Sequence, residues 1–265
     1  MMKAGFIGCG NMGGTLVAVA SKSVGGESVL IVDHHKEKLS ALKDVYGCVP
    51  GTFAQAAESE ILFLGVKPQA LCSVADELRD ILKKLTKIPL IVSMLAGVST
   101  STISEKLGGV RVLRIMPNTP AAIGEGVILY CLGEGVTSED EINFLDLMKP
   151  AGICVKLSED KIDMGCAITG CGPAFVCLLM EAMVDAGVRC GLPRDKALLF
   201  VQQTFIGTAK LSQETSTEPA VLRAAVCSPA GSTIEGIAAM ERYGARNSIL
   251  EAVDAAYKRT QNLGK

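Results

Sequence analysis

The 265-residue chain contains no tryptophan, and aromatic residues make up only 4% of it. Base-stacking platforms for nucleic acid are therefore not expected. A basic stripe is also missing: 26 Lys and Arg stand against 28 Asp and Glu, for a net charge of -2. That balance argues against a phosphate-backbone partner. The only histidines, His34 and His35, are adjacent, and none of the ten cysteines forms a C-x-x-C pair, so no metal site is expected. Cys9, Cys48, Cys72, Cys131 and Cys154 fall in apolar runs and read as small buried hydrophobes in a reducing compartment. There is no G-x-S-x-G elbow, no P-loop lysine motif and no separate His to activate a nucleophile. The first residues lack the basic region and unbroken apolar core of a signal peptide, which points to a cytoplasmic protein. Met164 to Met180 is uncharged, but Gly170, Gly172 and Pro173 interrupt it. It reads as a turn entering a buried helix rather than a membrane span.

What is present begins with alternation. Apolar runs at Lys3–Gly8, Ser28–Val32, Ile61–Val66, Pro89–Met94 and Val110–Met116 read as strands. Helical patterns over Asn11–Ser21, Lys36–Tyr46, Gln69–Lys84 and Thr100–Leu107 separate them. This is the pattern of βαβ units and a parallel sheet. Two later strands, Gly126–Leu132 and Ile153–Leu157, flank a helix at Ser138–Met148. From about Asp160 onward only helices are expected: Pro173–Cys190, Pro193–Gln213, Pro219–Val226, Ser232–Tyr243 and Ala245–Asn262. The first of these is apolar nearly all round, so it is expected to be buried on every side. About 100 residues rarely hide so much apolar surface alone, which points to an intertwined dimer. The expected fold is α/β: a Rossmann-like, mostly parallel sheet over residues 1–159, followed by an all-α domain over residues 160–265.

Gly8-Cys9-Gly10-Asn11-Met12-Gly13 follows a strand and opens a helix, the context a dinucleotide fingerprint requires. Gly8 allows the tight turn, Gly10 lets backbone approach a pyrophosphate, and Gly13 lets helix and strand pack closely. The competing reading is a glycine-rich structural turn. Asp33 ends the second strand, where an acidic residue bonds the adenosine ribose of NAD. His34, His35 and Lys36 follow at once and suit a 2′-phosphate instead, so sequence leaves that choice open. Val66-Lys67-Pro68, Ser93-Met94-Leu95-Ala96-Gly97 and Met116-Pro117-Asn118-Thr119-Pro120 are further strand ends placed to line a cofactor cleft, or to serve as rigid loops. In the helical half, Ser232 and Glu235 have capping-box spacing just after Gly231. A helix N-terminus carrying two hydroxyls is a carboxylate site or an ordinary cap.

Five segments occur in order: Phe6-Ile7-Gly8-Cys9-Gly10-Asn11-Met12, Val66-Lys67-Pro68-Gln69, Arg114-Ile115-Met116-Pro117-Asn118-Thr119-Pro120, Thr169-Gly170-Cys171-Gly172-Pro173-Ala174-Phe175 and Ser228-Pro229-Ala230-Gly231-Ser232-Thr233-Ile234. Together they resemble pyrroline-5-carboxylate reductase over nearly the whole chain. The resemblance implies an all-α dimerisation domain, a homodimer and, in some members, higher assemblies of dimers. It implies NADPH, or less often NADH, as hydride donor and proline as product. It places the cofactor on Gly8, Gly10, Asn11, Met12, Gly13, Asp33, His34, Val66, Lys67, Pro68, Ala96, Met116, Asn118 and Thr119. The substrate falls to Ser228, Gly231, Ser232 and Thr233, with Ser232 and Thr233 as the catalytic hydroxyls and Thr233 near the ring nitrogen. No nucleic acid, membrane or metal enters. This chain departs from the family pattern at Cys227 and Ala230, and at Thr169, Cys171 and Phe175. A β-hydroxyacid dehydrogenase would carry a lysine on the interdomain helix, and none occurs from Ile162 to Asp195. The other alternative is a non-catalytic cofactor-binding regulator.

Overall fold

A computed structural model describes residues 2–261, without the side chain of Pro68. Eight strands form one sheet: β1 Ala4–Ile7, β2 Val29–Val32, β3 Val49–Pro50, β4 Ile61–Leu64, β5 Leu90–Ser93, β6 Val112–Met116, β7 Gly126–Leu132 and β8 Gly152–Lys156. Their spatial order is β3-β2-β1-β4-β5-β6-β7-β8. All neighbours are parallel except the β6–β7 pair. The chain winds outward from β1 to β3, returns to β4, and winds the other way. A topological switch point therefore lies between β1 and β4, the place where such sheets bind ligands at their carboxyl ends.

The helices of this region are α1 Asn11–Val24, α2 Lys36–Tyr46, α3 Phe53–Ala57, α4 Leu71–Leu82, α5 Thr100–Leu107, α6 Ser138–Met148 and α7 Glu159–Thr169. Local chemistry sets several boundaries. Gly47, at φ 73°, ends α2 in the left-handed region, while the Ser99 hydroxyl accepts the Thr102 N–H at the start of α5. Thr137 and Asp140 form a capping box on α6. Alternate strand residues serve opposite faces of the sheet. Phe6 and Phe63, paired across β1 and β4, stack at 4.3 Å on the face covered by α1 and α6. Ile7, Leu62, Leu64 and Ile91 fill the other face with residues of α3, α4 and α5. The central strands are thus buried on both sides, which is why they read as unbroken apolar runs.

The expected elements are all present, with ends moved by a few residues. Asn262, the expected end of the last helix, lies outside the described residues. Three elements were not expected. β3 has two residues and α3 five, too short to carry a period. α7 lies across the stretch where the sequence changes character.

The remaining helices are α8 Gly172–Arg189, α9 Arg194–Thr215, α10 Pro219–Ala225, α11 Ser232–Arg242 and α12 Ala245–Thr260. Contacts divide the described chain into two compact units: one runs to Gly170 and resumes at Ala256, and the other is Cys171–Ala255. In the second, α8 and α9 pair around Val184, Ala197 and Val201. Within one chain this helix is not covered all round. Val184 is the only buried residue described on α8, while Val176, Leu178, Leu179 and Met183 are exposed. One antiparallel partner covers one stripe of a helix and leaves the rest bare. The span Glu159–Arg189 is apolar and long enough to cross a membrane by composition, but a turn at Gly170 and Cys171 splits it into α7 and α8.

Candidate active site

Five loops leave the carboxyl ends of β1, β2, β4, β5 and β6. The first three surround a cavity of about 650 Å³ whose wall includes Gly8, Gly10, Asp33, His34, Gly65 and Lys67. Gly8 has φ 94°, a left-handed value, and a Cβ there would lie 2.6 Å from the Gly65 carbonyl oxygen. A Cβ on Gly13 would collide with the Gly8 carbonyl oxygen. Gly10 differs, since a Cβ there would meet no atom within 4 Å. Tight turn, close packing and open approach thus fall on the three glycines as expected. The first turn of α1 has no side-chain cap and no acidic residue, so its backbone N–H groups stay available to an anion. Asn11 is exposed and Met12 half-buried on that turn. A dinucleotide pyrophosphate fits this cradle.

At the end of β2, Asp33 Oδ2 accepts the Cys9 N–H at 2.7 Å, and Oδ1 accepts the His35 N–H at 2.9 Å. Burial raises the Asp33 pKa, but these N–H groups and the His35 ring outweigh it and hold the carboxyl below its ordinary value. Asp33, His34 and His35 bring their potential metal-ligating atoms within 4.8 Å of one another. Val66 is half-buried against the core and Lys67 is exposed on the cavity wall. The side chain of Pro68 lies outside the described residues.

On the last two loops, several of the expected side chains have partners within the domain. Met116 is 7% exposed and packs with Leu129 and Ile162, and Ala96 joins that cluster. Asn118 is buried too. Its Oδ1 accepts the Val127 N–H at 2.8 Å, and its Nδ2 donates to the Thr169 carbonyl at 3.0 Å. Asn118 therefore ties the start of β7 to the last residue of α7. Thr119 is exposed at the start of a short 3-10 turn. Sequence reasoning missed Arg114, which is 3% exposed and donates to Asp163 on α7 at 2.5 Å. An arginine inside an apolar strand was the available signal, because a buried charge demands a partner.

In the helical unit, Gly231 N–H donates to the Ser228 carbonyl at 3.0 Å, closing a turn over Pro229 and Ala230. Ala230 occupies the left-handed region at φ 55°. The capping box expected from Ser232 and Glu235 does not form. Gly231 takes the cap position, and Ser232 is already the first helical residue of α11. No side chain caps α11, and Ser232 and Thr233 are exposed there. Among the described residues, the hydroxyls of Ser228, Ser232 and Thr233 have no hydrogen-bond partner.

The thiols do not compete as nucleophiles near the cradle. Burial pushes Cys9 up to about 12, and Cys131 and Cys154 to about 11. Cys72, expected to be buried, is exposed on the outer side of α4.

The pyrroline-5-carboxylate reductase of Synechocystis is 36% identical over 268 residues, covering 100% of this chain and 99% of its own. The chain belongs to the pyrroline-5-carboxylate reductase family. The Escherichia coli member is 35% identical, with 99% and 98% covered. A family model described as pyrroline-5-carboxylate reductase dimerisation matches residues 159–263, and one described as NADP oxidoreductase, coenzyme F420-dependent, matches residues 3–97. The crystal structure of the Plasmodium falciparum pyrroline carboxylate reductase with NADP bound superposes with a TM-score of 0.89 at 27% identity, covering 100% of this chain and 98% of that one. The Coxiella burnetii pyrroline-5-carboxylate reductase gives 0.89 at 32%, with 100% and 99% covered. Membership of this family makes the chain an NAD(P)H-dependent oxidoreductase with a Rossmann-like fold and a dimerisation domain.

Proposed function

We propose that the chain reduces 1-pyrroline-5-carboxylate to L-proline, the last step of proline biosynthesis, as a cytoplasmic homodimer. The observation that carries the reading is the uncapped first turn of α11, in a chain that matches the family from end to end. Its free N–H groups and the unpartnered Ser232 and Thr233 hydroxyls suit a carboxylate. Ser228 and Gly231 shape the turn beside them. When bound, the reduced nicotinamide supplies a hydride. The glycine turn would seat the pyrophosphate on the uncapped N–H groups of the first turn of α1, because the Gly8 N–H is taken by the Val32 carbonyl and the Cys9 N–H by Asp33. A protonated cyclic imine is already strongly electrophilic, so the site needs positioning more than acid–base help. The Thr233 hydroxyl hydrogen-bonds the ring nitrogen, and no separate base is required.

The helical segment, residues 160–265, serves as substrate and dimerisation domain, with residues 1–159 as the dinucleotide domain. The bare apolar surface of α8 and α9 supports the dimer, because a lone subunit would leave it in water. Two measurements test the proposal. Consumption of NADPH on addition of pyrroline-5-carboxylate, followed by its near-ultraviolet absorbance, is expected. Binding of NADPH without turnover would mark a regulator instead. Light scattering at micromolar concentration is expected to give at least a dimer, and a monomer would refute the assembly.

A further inference from the structure

Asp33 stands where an acidic residue would hold the adenosine ribose of NADH. Its geometry suits another task. The side chain is only 5% exposed. Oδ2 is committed to the N–H of Cys9, the middle residue of the glycine turn, at 2.7 Å. Oδ1 is committed to the N–H of His35 at 2.9 Å and faces the His35 Nδ1 at 3.0 Å and the His34 Nδ1 at 3.5 Å. A ribose diol needs a carboxylate that presents its oxygens to the cavity, and this one spends them on its own loop. The groups on the open side are of the other kind. The His34 side chain is 84% exposed and that of His35 is 54% exposed, and Lys38 lies one turn into α2. All three line the cofactor cavity, with Lys67 also on its wall. With Nδ1 of each ring turned toward Asp33, Nε2 is the nitrogen left for a ligand. A dianionic phosphate is met here by the Lys38 ammonium and by the Nε2–H of a ring in its protonated form, since Nδ1 already donates to Asp33, whereas the ribose of NADH finds both Asp33 oxygens committed elsewhere.

We propose that Asp33 is a positioning residue that clamps the glycine turn, and that His34, His35 and Lys38 read the 2′-phosphate, so that this chain selects NADPH over NADH. The proposal rests on the reading of the chain as a reductase of this family. Steady-state kinetics with pyrroline-5-carboxylate, comparing kcat/KM for NADPH and NADH, test it. The wild-type protein is expected to favour NADPH by at least tenfold. Asp33→Asn keeps one acceptor and loses the other, so it should lower both efficiencies by a similar factor and leave their ratio within twofold. A ribose acceptor would behave differently: its loss would penalise NADH alone and raise the ratio fivefold or more, which overturns the clamp. Lys38→Ala and His34→Ala, both on exposed positions, should each reduce the ratio by about tenfold, and an unchanged ratio in both removes the phosphate reader. Fluorescence titration of the two cofactors without substrate reads the same ratios. If the wild-type protein bound NADPH selectively but turned over nothing, the activity would fall and the selectivity would stand.

Discussion

Alanine at Gly10 and alanine at Gly13 add the same methyl group a few ångströms apart, yet the structure assigns them opposite consequences. At Gly13 the new Cβ collides with the Gly8 carbonyl oxygen, a backbone atom that cannot swing aside. Overpacking against a rigid backbone atom falls at the upper end of the usual range, about 2–3 kcal/mol. Removing a helical glycine returns up to about 1 kcal/mol, which leaves a net loss of about 1–2 kcal/mol. In a domain of this size that lowers Tm by roughly 2–8 °C. At Gly10 the Cβ meets no atom within 4 Å, and φ -65°, ψ -167° is open to any residue. Stiffening the unfolded chain gains about 0.4–1 kcal/mol, and exchanging a glycine cap for alanine costs a similar amount, so stability stays within about 1 kcal/mol of the wild-type value. The empty space is where backbone approaches a pyrophosphate. Losing one hydrogen bond to a charged group there costs about 1.5–3 kcal/mol, a weakening of NADPH binding of about 10- to 100-fold. Thermal unfolding paired with a fluorescence titration of NADPH separates the two effects. A Gly10→Ala protein that binds NADPH as tightly as the wild type, or a Gly13→Ala protein that melts at the wild-type temperature, would refute this account of the cradle.

Thr233→Ala should lower kcat/KM for pyrroline-5-carboxylate by about 10- to 100-fold while leaving NADPH affinity alone; equal kinetics would take Thr233 out of the site. Ala230→Gly relieves a left-handed alanine, and with the entropy of glycine set against about 1–2 kcal/mol of strain it should raise stability by about 0.5–1 kcal/mol, seen as a higher Tm. Burial raises the Asp140 pKa, but the backbone N–H and hydroxyl of Thr137 and the Arg111 guanidinium bring it below the ordinary aspartate value. A carboxyl held low in the folded state adds stability above about pH 4, and that contribution is lost as the pH falls further. Denaturant unfolding should therefore show stability dropping below about pH 4, and Asp140→Asn should flatten the drop; an unaltered slope would contradict the assignment.

Much of the nucleotide-binding half was legible because its signals are local. Buried parallel strands read as short apolar runs, helix periods separate them, and the three glycines sit at a strand–helix junction where only their small size works. β3 and α3 escaped because two and five residues carry no period. The site was legible at the level of segments and less so at the level of atoms. Asp33 was placed at the right strand end, but which way its carboxylate turns depends on the Cys9 N–H, 24 positions away in sequence. Asn118 stands at a strand end expected to line the cleft, and only the fold shows that its amide bonds Val127 and Thr169.

Sequence by itself determined the order of elements, the cradle for a dinucleotide and membership of a family, since each rests on residue types at short spacing. Tertiary structure decided which groups are free. The Ser232 hydroxyl is released because Gly231 takes the cap, and the Asp33 oxygens are occupied because a distant turn folds onto them. The apolar faces of α8 and α9 stay bare because one chain offers too little to cover them. Such outcomes turn on who meets whom across long separations, and hydrogen-bond supply and buried area are settled only when the chain has closed on itself.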